Sequence, residues 1–187
     1  AFMNTINNFT FIVLTYNHCN YILEHLESIK YLIENYGNRI RVDIIVADDG
    51  SQDSTVALSK FWLDKNSYLF SKMTVLADGT NKGTCKNFVA ALNYLSSDHC
   101  KITAGDDVYS YENLFLESKK LDCNHILSGL PLNLIDGVVM STRFGLFNLF
   151  ATDIVYRNYQ YKIRLQRISF FNSPNIFYAV AALSNKL

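Results

Sequence analysis

The 187-residue chain predicts an α/β fold in which helices cover both faces of a mostly parallel sheet. Short apolar, β-rich runs alternate with segments whose apolar residues recur every three or four positions, and this order is typical of parallel sheets. Polar clusters follow three of the predicted strands directly. The carboxyl ends of parallel strands share one edge of a sheet, and ligands of open α/β sheets bind there.

The composition predicts a folded globular protein, since 49% of the residues are apolar and 18% are charged. No two cysteines have C-x-x-C spacing, so we expect reduced thiols in a cytoplasmic protein rather than a zinc or disulfide framework. The histidines lack metal-ligand spacing, and we expect each at the surface or at its boundary. No uncharged apolar stretch reaches the length of a membrane-spanning helix.

The first predicted βα unit begins with "FTFIVLTYN", an apolar run that we interpret as a buried strand over residues 10–15. "NYILEHLESIKYLIENYG" follows and predicts one apolar helical face ending at Gly37. The second unit pairs the strand "RVDIIVA" with a helix after the turn "DDGS". Ser51 or Asp53 is expected to cap that helix.

The third and fourth units are shorter. "KMTVLA" is a predicted strand and "CKNFVAALNYL" its helix, and "CKITA" is a predicted strand followed by "SYENLFLESKKL". Ser110 is the expected cap of the last of these helices. Beyond residue 121 the pattern does not order the segments.

Two pairs of neighbouring aspartates lie at predicted strand ends. Hard divalent cations take carboxylate oxygens, so Asp106 and Asp107 predict a Mg²⁺ or Mn²⁺ site completed by a substrate diphosphate. Asp48 and Asp49 precede a Gly-Ser turn, where a carboxylate can accept a hydrogen bond from a ligand N–H. The structural alternatives are a helix cap for Asp106 and Asp107 and an Asx-turn for Asp48 and Asp49.

"NKGTCKN" opens a predicted helix and supplies Gly83 and Lys86. Free N–H groups at a helix start attract phosphate, and the lysine adds positive charge. An ordinary helix start explains the same residues equally well. Neither a Walker A loop nor G-x-G-x-x-G occurs in the sequence.

The net charge of zero conceals a basic end, because residues 151–187 hold five Lys/Arg against one Asp. Within them, residues 156–171 interleave basic and aromatic side chains. This pattern predicts either a surface for anionic lipid headgroups or an amphipathic element packed on the same domain. No stretch indicates nucleic-acid binding.

Taken together, "FIVLTYN", "VDIIVADDGSQDST", "NKGTCKN" and "ITAGDDVYSYENL" resemble the family 2 glycosyltransferases over roughly three-fifths of the chain. The resemblance implies a Rossmann-like GT-A fold, with a donor-binding subdomain at residues 1–121 and an acceptor-side segment at 122–187. It also implies a cytoplasmic enzyme that uses Mn²⁺ or Mg²⁺, and the inner face of the membrane is a candidate location. The reaction would transfer a sugar, with inversion, from a nucleotide-sugar such as a UDP-sugar to a glycan or lipid-linked acceptor in surface polysaccharide synthesis.

The same resemblance assigns roles to individual residues of this sequence. The nucleoside would lie at the end of the first strand, and the base, phosphates and metal would contact the later motifs. The residues implied for donor binding are Thr15, Tyr16, Asn17, Asp48, Asp49, Gly83, Lys86 and Asp106. Asp49 would contact the base and Asp48 the turn, whereas Asp106 and its neighbour Asp107 would hold the metal.

The sequence departs from the family pattern at three places. Leu14 replaces a frequent proline, and Ala104 replaces the first Asp of the D-x-D motif. The later acidic residue that serves as general base is not matched by any of the remaining aspartates, which are Asp122, Asp136 and Asp153. We therefore expect a truncated chain or a fragment. Two rival hypotheses are a nucleotide-sugar-binding module without turnover and a sugar-phosphate nucleotidyltransferase.

Overall fold

The computed structural model of the chain describes residues 6–97, 99–110, 113–118, 133–135 and 138–140. The chain divides into two units, residues 1–120 and 121–187. In chain order the first unit contains β1 (Asn8–Thr15), α1 (Ile22–Tyr36), β2 (Arg41–Asp48), α2 (Thr55–Lys65), a 3₁₀ turn (Ser67–Leu69), β3 (Lys72–Leu76), α3 (Thr84–Leu92), β4 (Cys100–Ala104) and α4 (Leu114–Ser118).

The four strands of the first unit form one parallel sheet in the order β3-β2-β1-β4. β1 lies in the middle and pairs with β2 over its full length, from Asn8 opposite Arg41 to Thr15 opposite Asp48. On its other side Leu14 lies opposite Ala104 of β4. The parallel α/β sheet predicted from the sequence is therefore confirmed, and the carboxyl ends of β1, β2 and β4 lie side by side.

One face of the sheet carries the main hydrophobic core. Alternate residues of β1 and β2 point to this face, as the two-residue period of a strand requires. They pack against the apolar stripe of α1 and against residues of α2 and α4. The buried side chains of this core include Phe9, Phe11, Val13, Val42, Ile44, Val46, Ile22, Leu26, Ile29, Leu32, Trp62, Leu63 and Phe115.

Aromatic rings fill the centre of this core. The Phe11 ring lies 5.0 Å from Phe9, 5.6 Å from Tyr109 and 6.2 Å from Phe115, measured between centroids. The latter two contacts are edge-to-face, a favourable arrangement for aromatic quadrupoles. Phe11 thereby contacts both the segment after β4 and helix α4, and Phe9 also packs on Phe115 at 5.2 Å.

Helix α3 covers the opposite face, where it packs on β1 and β2. Its buried residues include Phe88 and Leu92. The Asn87 side chain, which is also buried, donates a hydrogen bond of 2.7 Å to the carbonyl of Ala47. This bond attaches the first turns of α3 to the carboxyl end of β2, and it completes the predicted cover of helices on both faces.

Several predicted details are wrong. β1 begins two residues earlier than expected, at Asn8, and α3 ends at Leu92 instead of residue 95. Ser51 does not cap α2, because its hydroxyl donates to Asp48. Ser110 does not cap the last helix, which begins at Leu114, and the Asn113 side chain accepts the N–H of Leu116 instead.

The second unit is described only by the antiparallel strands β5 (Asn133–Ile135) and β6 (Val138–Met140). The predictions for Asp122, Asp136, Asp153 and residues 156–171 lie outside the described residues. Within the described part of the chain, no helix combines the length and hydrophobicity that crossing a membrane requires.

The central ring of the core leads to a first prediction. Phe11 is 0% exposed, so Phe11→Ala should lower the free energy of unfolding by about 3–5 kcal/mol, through lost burial and a residual cavity. Phe61→Ala is the matched control, because Phe61 is 57% exposed and the Lys65 ammonium lies above its ring, 4.2 Å from the centroid. We expect that control to cost less than about 1 kcal/mol. Urea unfolding measures both, and equal costs would contradict this description of the core.

Candidate functional site

The candidate site lies at the edge where β1, β2 and β4 end. The connections from β1 to β2 and from β2 to β3 run toward one edge of the sheet, and the chain then returns to place β4 on the other side of β1. Such a switch point opens a crevice in α/β proteins. Three predicted clusters meet at this edge. They are residues 15–17 at the end of β1, 48–49 at the end of β2 and 106–107 just after β4.

Asp48 organises the turn after β2. Its buried carboxylate accepts hydrogen bonds from the backbone N–H groups of Gly50 (3.1 Å) and Ser51 (2.8 Å). It also accepts from the hydroxyls of Ser51 (2.5 Å) and Thr15 (2.8 Å). Because Thr15 is the last residue of β1, the side chain of Asp48 joins the ends of two strands.

Asp49 joins the same turn to the segment before α3. Its backbone N–H donates to the carbonyl of Thr15, at 2.9 Å. Its carboxylate accepts the N–H groups of Lys82 (2.7 Å) and Gly83 (3.0 Å). Sequence reasoning missed this contact, although an acidic residue is a natural partner for the N–H groups at a helix start. Each carboxylate oxygen still has a lone pair for a further donor.

Gly50 lets these two segments approach closely. Its φ of +79° lies in the left-handed region, and a Cβ there would be 2.7 Å from the backbone nitrogen of Asn81. The segment after β3 therefore packs directly on the backbone of the "DDGS" turn. Lys86 is exposed on the first turn of α3, and Lys82 forms an ion pair with Asp78.

The residues after β1 bind to the loop before α2. Asn17, with φ of 55°, donates its N–H to the Ser51 hydroxyl and accepts the N–H of Gln52 on its side-chain oxygen, both at 2.8 Å. The His18 N–H donates to the Thr55 hydroxyl, also at 2.8 Å. The Tyr16 side chain is 45% exposed beside these contacts. The backbone at the end of β1 is thus held by the neighbouring loop, and the Tyr16 ring faces outward.

Asp53 completes this connection. Its carboxylate accepts the N–H of Cys19 (3.0 Å) and both the N–H (2.9 Å) and hydroxyl (2.5 Å) of Thr55. Burial opposes ionisation of Asp53, but the hydrogen bonds from Thr55 and Cys19 outweigh it and hold the pKa well below its ordinary range. Asp53 accepts from the first residue of α2, as predicted for a cap, and its contact with the loop after β1 was not predicted.

The segment that carries the acidic pair after β4 leaves the sheet beside the end of β1. The Gly105 N–H donates to the carbonyl of Leu14, at 2.8 Å. A Cβ on Gly105 would lie 2.8 Å from Thr15 Cγ2 and 3.0 Å from Ile22 Cδ1, so only glycine fits this crossing without movement. Asp106 and Asp107 follow and are exposed.

These residues fit a cation that takes few protein ligands. The part of the chain that the structure describes holds no group of three His, Cys, Asp or Glu side chains able to enclose a metal ion. Mg²⁺ and Mn²⁺ are commonly held by one or two carboxylates together with substrate phosphates, and exposed Asp106 and Asp107 match that donor set.

His18 was not predicted as part of the site, yet it faces the acidic pair. Its Nε2 lies 3.7 Å from an Asp106 carboxylate oxygen, and 19% of its side chain is exposed. Its buried Nδ1 has no hydrogen-bond partner among the described residues. In the sequence, only the position of His18 directly after "TYN" could have indicated that it belongs to the site.

The prediction that the histidines lie at the surface or its boundary is wrong for His25, which is 0% exposed. Its Nδ1 lies 2.6 Å from the carbonyl oxygen of Asp107, and its Nε2 lies 3.4 Å from the Thr103 hydroxyl. Burial lowers the pKa of His25 below its usual value, against the opposing effect of the Asp107 carbonyl. Burial also raises the pKa of Tyr109, whose hydroxyl is 3.0 Å from that of Thr103.

The glycine in the turn leads to a second prediction. Gly50→Ala should destabilise the fold by about 1–3 kcal/mol more than Gly79→Ala, because its Cβ would overlap the backbone at Asn81. Gly79 is the matched control, since its φ is +77° and a Cβ there would meet no atom within 4 Å. Both positions have nearly the same positive φ, which is unfavourable for alanine, so the difference reports the packing of the two segments. Chemical unfolding measures it, and equal destabilisation would exclude close packing.

A family model described as glycosyl transferase family 2 matches residues 10–122. No curated protein matches the chain. One similar solved structure is the mannosyltransferase PcManGT from Pyrobaculum calidifontis in complex with GDP-Man and Mn²⁺, with 24% identity and a TM-score of 0.50. That alignment covers 59% of this chain and 31% of that chain, and it supports the GT-A fold.

TarS from S. aureus, solved as residues 1–349 in complex with UDP, aligns with 27% identity and a TM-score of 0.45. The alignment covers 57% of this chain and 30% of that chain. The chain thus covers less than a third of either solved protein. The family match extends from β1 to the residues just beyond α4 and so includes every motif of the candidate site. The chain therefore belongs to glycosyl transferase family 2 and contains the N-terminal part of its GT-A fold.

Proposed function

We propose that residues 1–121 bind the nucleotide-sugar donor of a glycosyltransferase. The observation that carries the proposal is the convergence of the predicted donor residues at the carboxyl ends of β1, β2 and β4, in a chain of glycosyl transferase family 2. The protein transfers the sugar to a glycan or lipid-linked acceptor, with inversion, in surface polysaccharide synthesis. A UDP-sugar is the first donor to test.

The nucleoside end of the donor contacts the ends of β1 and β2. Tyr16 offers an exposed aromatic ring to the base, beside the backbone of Thr15 and Asn17. Asp49 offers carboxylate lone pairs to a ring N–H of the base, while its contacts with Lys82 and Gly83 keep the carboxylate in place. Asp48 acts indirectly, because its hydrogen bonds hold the turn.

The diphosphate end lies toward the start of α3 and the segment after β4. Asp106, with Asp107 beside it, holds Mn²⁺ or Mg²⁺, and exposed Lys86 adds positive charge near the phosphates. When bound, the metal acts as a Lewis acid for the departing diphosphate. The PcManGT structure, which shares the fold, contains Mn²⁺, so this cation is the first to use in a test.

Residues 122–187 provide the acceptor side in this proposal. A carboxylate must remove the proton of the acceptor hydroxyl as that oxygen attacks the anomeric carbon. The described residues do not assign this base. The rival function, a donor-binding module without turnover, needs no such base and is separated from the enzyme by turnover assays.

The donor site is tested by calorimetric titration with UDP and GDP, in Mn²⁺ and in EDTA. We expect Mn²⁺ to tighten nucleotide binding about tenfold or more, equivalent to about 1.4 kcal/mol. Asp106→Asn should abolish this enhancement because it removes the carboxylate charge. Asp64→Asn is the matched control, since Asp64 is exposed near the end of α2, away from the strand ends, and should leave the enhancement intact.

If the wild-type chain binds neither nucleotide under either condition, the proposed donor site is wrong. Nucleotide binding together with sugar transfer to an acceptor supports the enzyme. Nucleotide binding with neither donor hydrolysis nor transfer supports the module. Turnover of a nucleoside triphosphate with a sugar phosphate would instead indicate a nucleotidyltransferase. The titration therefore tests the donor site, and the turnover assays separate the rival functions.

We also propose that residues 156–171 contact the cytoplasmic face of a membrane, where a lipid-linked acceptor would lie. Replacing Arg157, Arg164 and Arg167 by Gln should weaken binding to phosphatidylglycerol-containing vesicles about 100-fold, from about 1 kcal/mol per basic residue. The matched control replaces three exposed basic residues of the first unit, which are Arg41, Lys60 and Lys72. Equal vesicle binding by both triple variants and the wild type in a sedimentation assay would exclude this surface.

A further inference from the structure

The exposed acidic pair lies on a short segment, residues 105–109, whose backbone is held at three points. The Gly105 N–H donates to the carbonyl of Leu14 in β1. The carbonyl of Asp107 contacts His25 Nδ1 at 2.6 Å, and the N–H of Tyr109 donates to the Ser28 hydroxyl at 3.1 Å. The last two contacts come from α1, a helix that otherwise contributes apolar side chains to this core.

Of the two α1 residues, His25 and Ser28, His25 is fully buried. Its Nδ1 must carry a proton toward Asp107, because a carbonyl oxygen only accepts hydrogen bonds. Its Nε2 faces the Thr103 hydroxyl at 3.4 Å, and that hydroxyl lies 3.0 Å from the Tyr109 hydroxyl. The rings of His25 and Tyr109 are 5.6 Å apart. His25 thus contacts both the strand before the acidic pair and the residues after it.

Ser28 supports the same segment from the next turn of the helix. Residues three apart on a helix share a face, which places Ser28 beside His25. The Ser28 hydroxyl donates to the carbonyl of His25 at 2.6 Å and accepts the N–H of Tyr109. One helix face therefore supplies a donor for the Asp107 carbonyl and an acceptor two residues further along.

A polar side chain at a fully buried helix position is costly unless its hydrogen bonds are made, and an apolar residue would fill the space more simply. His25 contacts backbone and hydroxyl groups around the acidic pair. The effect of these contacts is to fix the backbone geometry of residues 105–109. The carboxylates of Asp106 and Asp107 remain exposed while the backbone that carries them is held.

We propose that His25 and Ser28 are positioning residues, which hold residues 105–109 against α1 so that the Asp106 carboxylate is preorganised for the metal-bound diphosphate. The preorganisation part rests on the proposed donor site. The anchoring part concerns only this chain and is measurable without any ligand. Neither residue is proposed to contact the donor.

Amide hydrogen exchange with peptide-level mass spectrometry tests the anchoring. In His25→Leu and in Ser28→Ala, exchange across residues 105–110 should become about tenfold faster, as expected for the loss of one hydrogen bond. In His25→Asn it should return toward the wild-type rate, because the amide nitrogen can occupy the place of Nδ1 and donate to Asp107. Exchange across residues 79–84 should not change, since Asp49 holds that segment.

Nucleotide binding tests the preorganisation with the same variants. The probe is UDP in Mn²⁺ and in EDTA, and the measured quantity is the ratio of the two dissociation constants. His25→Leu and Ser28→Ala should reduce this ratio about tenfold and leave the constant in EDTA unchanged, while His25→Asn should restore the ratio. A general loss of folding would weaken binding in both conditions and would not be rescued by asparagine.

Unchanged exchange across residues 105–110 in a folded His25→Leu protein would overturn the proposal. If that variant does not fold, the same result in Ser28→Ala overturns it. If exchange is faster in the variants but the wild type binds no nucleotide, the anchoring is supported and the donor site is refuted. If the wild type binds UDP and the variants exchange faster but keep the wild-type ratio of dissociation constants, only the preorganisation is refuted.

Discussion

The two buried carboxylates at the end of β2 are the interaction on which the rest of the candidate site depends. Asp48 accepts from Thr15 and from the turn that follows it, and Asp49 accepts from the backbone before α3. Like charges side by side at a strand end are unfavourable without donors, and here separate sets of N–H and O–H groups surround the two carboxylates. One aspartate pair thereby joins β1, β2 and the start of α3.

The acidic pair after β4 is arranged in the opposite way. Asp106 and Asp107 expose their side chains, and the backbone that carries them is held by β1, through Gly105, and by α1, through His25. In the proposed enzyme this difference has a physical use. Carboxylates that bind a cation must be accessible to it, whereas a carboxylate that shapes a turn, as Asp48 does, stabilises the fold best when it is buried and hydrogen-bonded.

Much of this architecture could be predicted from the sequence, because it depends on local patterns. The alternation of apolar strands with helical stripes indicated the parallel sheet, and parallel strands bring their carboxyl ends to one edge. The positions of the three polar clusters after β1, β2 and β4 followed from that rule. Helix caps were predicted less well, since Ser51 binds Asp48 and Asn113 acts in place of Ser110.

The sequence by itself determined the fold class, the family and the edge of the sheet at which the conspicuous aspartates lie, because periodicity and motif order are local properties. Only the tertiary structure decided which partner each side chain has. Asp49 binds a segment 33 residues away, and His25 contacts a carbonyl 82 residues away. Contacts at such separations depend on how strands pair and helices cross, and no local spacing in the chain encodes them.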